Sequence, residues 1–79
     1  MLDSKQLALV YLMEECNRIS SLCAKSIHNV HKRKFNNDIE QHMGILFNAM
    51  KEVVDEFKLD EHRVEKALHE EVDRRNKEK

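Results

Sequence analysis

The sequence predicts an all-α fold of three helices, a helical hairpin followed by a C-terminal helix, and three observations carry that reading. Apolar residues recur at alternating spacings of three and four, the period of a helix face rather than of a strand. One glycine and no proline occur in 79 residues, so little in the composition breaks a long helix. Residues of the kind that cap helix N-termini stand at three places along the chain, two of them as capping pairs. Residues 1–79 therefore read as one domain, without repeats or low-complexity tracts. A chain of this length buries only about 60% of the surface its unfolded form exposes, so a partner chain is expected.

The first helix is expected over about 4–28. Asp3 with Gln6 forms a capping-box pair, and Leu2 with Leu7 occupies the positions of a hydrophobic staple. Its seam is Leu9, Leu12, Cys16, Ile19 and Cys23, then Val30 beyond the polar Ser26, and Leu7, Val10, Leu22 and Ile27 widen the stripe. From His28 to Asn36 the apolar period gives way to basic and amide side chains, which predicts the turn.

The second helix is expected over about 38–57, with Asn37 and Glu40 as its capping pair. Ile39, Met43, Leu46, Met50, Val53 and Phe57 form its seam, flanked by Ile45, Phe47 and Val54. Gly44 lies inside this helix at a cost of about 1 kcal/mol relative to Ala, for which close helix packing is the expected compensation. Asp60 caps a third helix over about 61–76, with Leu59 and Val64 at staple spacing. Only Val64, Ala67, Leu68 and Val72 are apolar there, and thirteen of the twenty residues from Asp60 to Lys79 are charged, so this helix is expected at the surface with a fraying end after Val72. Pairs such as Glu70 with Arg74 and Glu71 with Arg75 place acid before base, each contributing a few tenths of a kcal/mol.

Composition also narrows function. Uncharged runs such as Gln6–Met13, eight residues long, fall well short of the roughly 20 apolar residues that cross a bilayer. Met1–Lys5 shows no basic segment leading into an apolar one, so a cytoplasmic protein is expected. A net charge of −1 argues against a general binder of nucleic acid or membrane surfaces. The one basic run, His28, His31, Lys32, Arg33 and Lys34, reads as a solvated connector. Cys16 and Cys23, two turns apart, are too far apart to bridge within a helix and read as small buried apolar residues. His28 with His31 and His62 with His69 have spacings that zinc can use, but no cysteine accompanies them, and no zinc site is expected. No nucleophile elbow and no glycine-rich phosphate loop are present.

Glu14 and Glu15, adjacent carboxylates on the first helix, hold the most chemical promise, because such acids can bind a hard cation. The stretch Ala8-Leu9-Val10-Tyr11-Leu12-Met13-Glu14-Glu15-Cys16, followed by Ala24-Lys25-Ser26, resembles the first helix of MazG-type nucleotide pyrophosphohydrolases. The resemblance continues through Asn37–Val54 as the second motif helix and Phe57-Lys58-Leu59-Asp60 as the turn into the last one. It implies an all-α fold in which a Glu-Glu-x-x-Glu helix and a Glu-x-x-Asp helix bind Mg²⁺ and cleave nucleoside triphosphates to monophosphate and pyrophosphate. The motifs are incomplete. Arg18 stands where the third Glu is expected, and His42 and Ile45 fall on the Glu and Asp of the second motif. An alternative register takes Glu40 as the Glu but puts Met43 on the Asp. Neither Arg, Ile nor Met is an Mg²⁺ ligand. Arg18 is expected instead to pair with Glu14 or Glu15, one turn back on its helix.

These departures lead to the expectation of a non-catalytic protein-interaction module on a MazG-like scaffold, with no cofactor. Short phage-encoded chains belong to the family it resembles, so a host protein, such as a defence component, is the expected target. Asp55, Glu56, Asp60 and Glu61 are the candidate contact surface, steering toward a basic partner. The alternatives are an active Mg²⁺-dependent pyrophosphohydrolase using Glu14, Glu15 and Glu40, or a nucleotide sensor in which Arg18 and Lys25 meet phosphate. A homodimer is expected, with the first two helices of each copy forming a four-helix bundle and the third packed outside.

Overall fold

The computed structural model describes residues 1–28 and 32–78, and within them the chain is three α-helices without a strand. Helix α1 spans Ser4–Ser26, α2 spans Arg33–Phe57 and α3 spans Glu61–Glu78. The expected seam residue Val30 and His31 of the basic run lie outside the described residues.

Local chemistry explains most of the boundaries. The Asp3 carboxylate accepts the Gln6 N–H at 2.8 Å while the Gln6 side chain accepts the Asp3 N–H at 3.0 Å, a complete capping box. Helix α2 begins at Arg33, five residues before the expected start near 38, so Asn37 and Glu40 lie inside it rather than at its cap. No side chain caps this N-terminus; the Lys32 carbonyl accepts from Phe35 and Asn36 at 3.1 and 3.4 Å. The early start is unremarkable for Lys and Arg, both good helix formers, and it brings Phe35 onto the packed face.

At the other end of α2 the chain stops on Lys58, which adopts a left-handed conformation at φ 51° and ψ 49°. The Lys58 N–H donates to the Asp55 carbonyl at 3.3 Å and the Leu59 N–H to the Val54 carbonyl at 2.9 Å, the paired bonds of a Schellman stop. Asp60 follows at once as the cap of α3, its carboxylate accepting the His62 N–H at 2.9 Å. Two terminators back to back make a short, hydrogen-bonded corner. Helix α3 continues past the expected fraying point at Val72, where Arg74 bonds Glu71 and Glu78 and Arg75 bonds Glu71.

Helices α1 and α2 pack along each other antiparallel, the first turns of α1 beside the last turns of α2. Within the hairpin, the packed face coincides with only part of the seam expected for the dimer or the core. On α1 it runs Ala8, Leu12, Glu15, Ile19, Leu22 and Ser26, and on α2 Phe35, Ile39, His42, Leu46, Ala49 and Val53. Leu12, Ile19, Ile39, Leu46 and Val53 are shared with the expected seam and are half-buried, whereas Leu9, Cys16, Cys23, Met43, Met50 and Phe57 are exposed. Both cysteines, expected to be buried, are free and exposed. The reason is that each stripe is wide enough to serve two neighbours, and the hairpin occupies the margin that carries Ala8, Glu15, His42 and Ala49 rather than the most apolar line.

The result is a single layer. The molecule measures 39 × 37 × 16 Å, with a radius of gyration of 15.2 Å, against about 12 Å for a compact domain of this length. Helix α3 packs along neither α1 nor α2 among the described residues. Ala8 and Ala49 are the only buried apolar residues described, while sixteen large apolar side chains are exposed, so the described residues enclose little more than the half-buried seam between α1 and α2.

Candidate functional site

The centre of the hairpin seam is a carboxylate. The three–four alternation that places Ala8 and Leu12 against α2 continues to position 15, and Glu15 is 1% exposed. Burial of an acid requires partners for its oxygens. Arg18, one turn along α1, donates from Nη1 to Glu15 Oε2 at 3.2 Å. His42, reaching across from α2, places Nδ1 2.8 Å from Glu15 Oε1, where an ionised carboxylate accepts its N–H. The Arg18 side chain is 60% exposed and that of His42 is 30% exposed, so the cluster is closed at the carboxylate and open at its cation. No buried side-chain polar atom among the described residues lacks a partner.

This arrangement joins three of the positions that the MazG resemblance implied, Glu15, Arg18 and His42, and leaves the others apart. Glu14 is exposed beside them, on the margin of a shallow depression lined by Tyr11, Arg18, Ile45, Asn48, Ala49 and Glu52. Ile45 presents an apolar side chain there. Glu40 is exposed and precedes His42 by two residues, about 200° around the helix, so it faces away from Glu15. Arg18 makes its expected intrahelical pair with Glu15.

The residues do not fit Mg²⁺. That ion needs near-octahedral oxygen ligands, and here both Glu15 oxygens accept from nitrogen donors, one of them a guanidinium. Among the described residues no three His, Cys, Asp or Glu side chains converge as a metal site would require. What the cluster does chemically is link α1 to α2 through the Glu15–His42 bond, while Arg18, on the same helix as Glu15, satisfies the second carboxylate oxygen.

The four candidate contact acids do not form one surface. Asp55 and Glu56 join Glu52 beside Ser4, Leu7, Ala8 and Tyr11 on one side of the hairpin. Asp60 caps α3 and lies 3.7 Å from Arg63. Glu61 borders the other side, beside Phe47, Met50, Val54 and Val64. At the opposite end, Lys25, Lys32 and Lys34 surround Leu22, Phe35 and Asp38.

The hairpin thus has two unlike flanks. At 100° per residue, Tyr11, Glu14 and Arg18 of α1 and Ile45, Asn48 and Glu52 of α2 share the polar flank. Leu9, Cys16 and Cys23 of α1 and Met43, Phe47, Met50 and Phe57 of α2 share the other, which is apolar and exposed. His42 as a cross-helix partner is the residue that reasoning from the sequence missed. Its signal was present, since 39, 42, 46, 49 and 53 keep the three–four alternation.

Comparison of the chain with protein-family models, with curated proteins and with solved structures gives no match. No helix among the described residues is long and apolar enough to cross a membrane.

Proposed function

We propose that this chain is a non-catalytic protein-interaction module on a MazG-like helical scaffold, working as a homodimer that docks on another protein. The observation that supports this most is the state of Glu15. The one buried acid of the motif region is held by Arg18 and His42, so it closes the seam where a catalytic acid would hold a metal ion. The exposed apolar flank agrees, since contiguous apolar surface on a small chain marks an interaction face. In this reading the second copy takes the apolar flank and the target protein, a host defence component for a phage-encoded chain, meets the polar one.

Two measurements test the reading. Purified protein incubated with each of the common nucleoside triphosphates and Mg²⁺ or Mn²⁺ is expected to release no pyrophosphate above background. Metal-dependent release that Glu15→Gln abolishes would overturn it. Titration with the same nucleotides separates the module from a sensor: micromolar binding lost in Arg18→Glu would move the assignment to nucleotide recognition, and its absence leaves the protein target to be identified by capture and mass spectrometry.

A further inference from the structure

We propose that α3 is an exchanged arm: in the dimer the α3 of each copy lies on the apolar flank of the other copy's hairpin. The inference rests on the self-association in the function proposed above and goes beyond it by naming which surfaces meet. Three observations lead there.

The first is area. The chain exposes 6974 Å², whereas a compact monomer of its mass exposes about 5,000 Å². The excess, about 2,000 Å² per chain, falls within the ~1,000–2,500 Å² that each partner contributes to an obligate homodimer. The excess is area that a second copy would cover, and α3, which among the described residues packs along neither helix of its own hairpin, carries part of it.

The second is the apolar pattern of α3. Val64, Leu68 and Val72 follow one another at four-residue spacing and are 47%, 59% and 47% exposed, so one stripe of this charged helix is built for a contact that its own chain does not make. That stripe begins where the hairpin's apolar flank ends, since Val64 and Glu65 border the same groove as Phe47, Met50 and Val54. The apolar surface is continuous around the inner corner of the molecule.

The third is the corner itself. The Schellman bonds of Lys58 and Leu59 and the Asp60 cap direct α3 away from its own hairpin. With this corner, α3 packs along neither helix of its own hairpin among the described residues. A second copy reaches the same surface with the corner intact, and two such molecules related by a two-fold axis satisfy both stripes at once.

The test uses the full chain with photo-cross-linking. Copies carrying Leu68→p-benzoylphenylalanine, half of them isotopically heavy, are refolded together, irradiated and digested. Peptides joining position 68 of one copy to residues 43–57 of the other, in heavy–light combination, are expected. A two-chain mass by sedimentation with links confined to single copies, or with no link to residues 43–57, would overturn the exchanged arm and leave the homodimer standing. A single-chain mass at 100 micromolar would overturn both. In parallel, Leu68→Glu is expected to weaken dimerisation at least tenfold, because it changes a side chain that one copy leaves in solvent and so does not threaten the hairpin. Ile45→Glu, a change at another exposed apolar position, on the polar flank, is expected to alter the dimer constant by less than twofold; loss in this variant and not in Leu68→Glu would place the contact on the wrong side for the arm.

Discussion

Glu15 illustrates how a buried charge specifies more than it stabilises. Its carboxylate is satisfied on both oxygens, so the penalty of burying it is met by Arg18 and His42 rather than by water. Removing the carboxylate strands His42 and widens the seam, and Glu15→Ala is expected to lower unfolding stability by about 1–3 kcal/mol in urea titration. The double variant Glu15→Leu with His42→Leu replaces the pair by apolar contact and is expected to recover that loss or exceed the wild type. A double variant less stable than Glu15→Ala would mean that the hydrogen-bonded pair contributes net stability of its own. Gly44 carries the opposite lesson. Close packing was the expected reason for a glycine inside α2, yet a Cβ added there meets nothing within 4 Å. With open space and an ordinary helical backbone, Gly44→Ala is expected to raise stability by about 1 kcal/mol through helix propensity alone, with an unchanged urea slope. A loss of stability would show that the position is covered in the assembled protein.

At the scale of the element, signals carried within a few residues were legible and those that depend on a neighbouring helix were not. The Asp3–Gln6 box and the Asp60 cap are local, and both are visible in the sequence because donor and acceptor lie within three residues of each other. The start of α2 was misplaced because Lys32 offers no capping side chain and Asn37 mimics one. The period of the seam was legible, but not which part of it the hairpin itself covers: Leu12, Ile19, Ile39, Leu46 and Val53 fit either of two adjacent stripes, and choosing between them requires knowing that Glu15 meets His42. Helix α3 runs on past Val72, where fraying was expected, and there Glu71, Arg74, Arg75 and Glu78 form a linked set rather than isolated pairs. Arg74 and then Arg75 hold the Glu71 carboxyl below its ordinary pKa, and Glu71 in turn raises that of Arg74. A carboxyl depressed in the folded state stabilises the helix above its unfolded pKa and loses that contribution as pH falls through the folded value. The end of α3 is therefore expected to be helical at neutral pH and to loosen on acidification below about pH 4.5. Backbone chemical shifts of residues 71–78 followed through the titration check this, and shifts that stay helical down to pH 2 would remove the ion pairs as the cause.

The whole molecule is a layer one helix thick, and that geometry decides how its stability must behave. With Ala8 and Ala49 the only fully buried apolar residues among those described and the rest of the seam half-buried, the hairpin has a small hydrophobic term to set against chain entropy. For the homodimer proposed above, folding and association are one event, in which two folded chains exchange for two unfolded ones, and the midpoint of unfolding is expected to depend on protein concentration. Two copies of a 79-residue chain unfold with an enthalpy of about 110 kcal/mol near 60 °C. A tenfold rise in concentration adds about 1.4 kcal/mol per dimer, which at that enthalpy raises the thermal midpoint by about 4–5 °C. Circular dichroism melts from 2 to 200 micromolar are thus expected to shift by about 9 °C. Leu68→Glu, which leaves the isolated hairpin untouched, is expected to lower the melt at every concentration. A midpoint constant across that range would mean that the thin hairpin holds itself together, and that Glu15, Arg18 and His42 contribute far more to its stability than their exposure suggests.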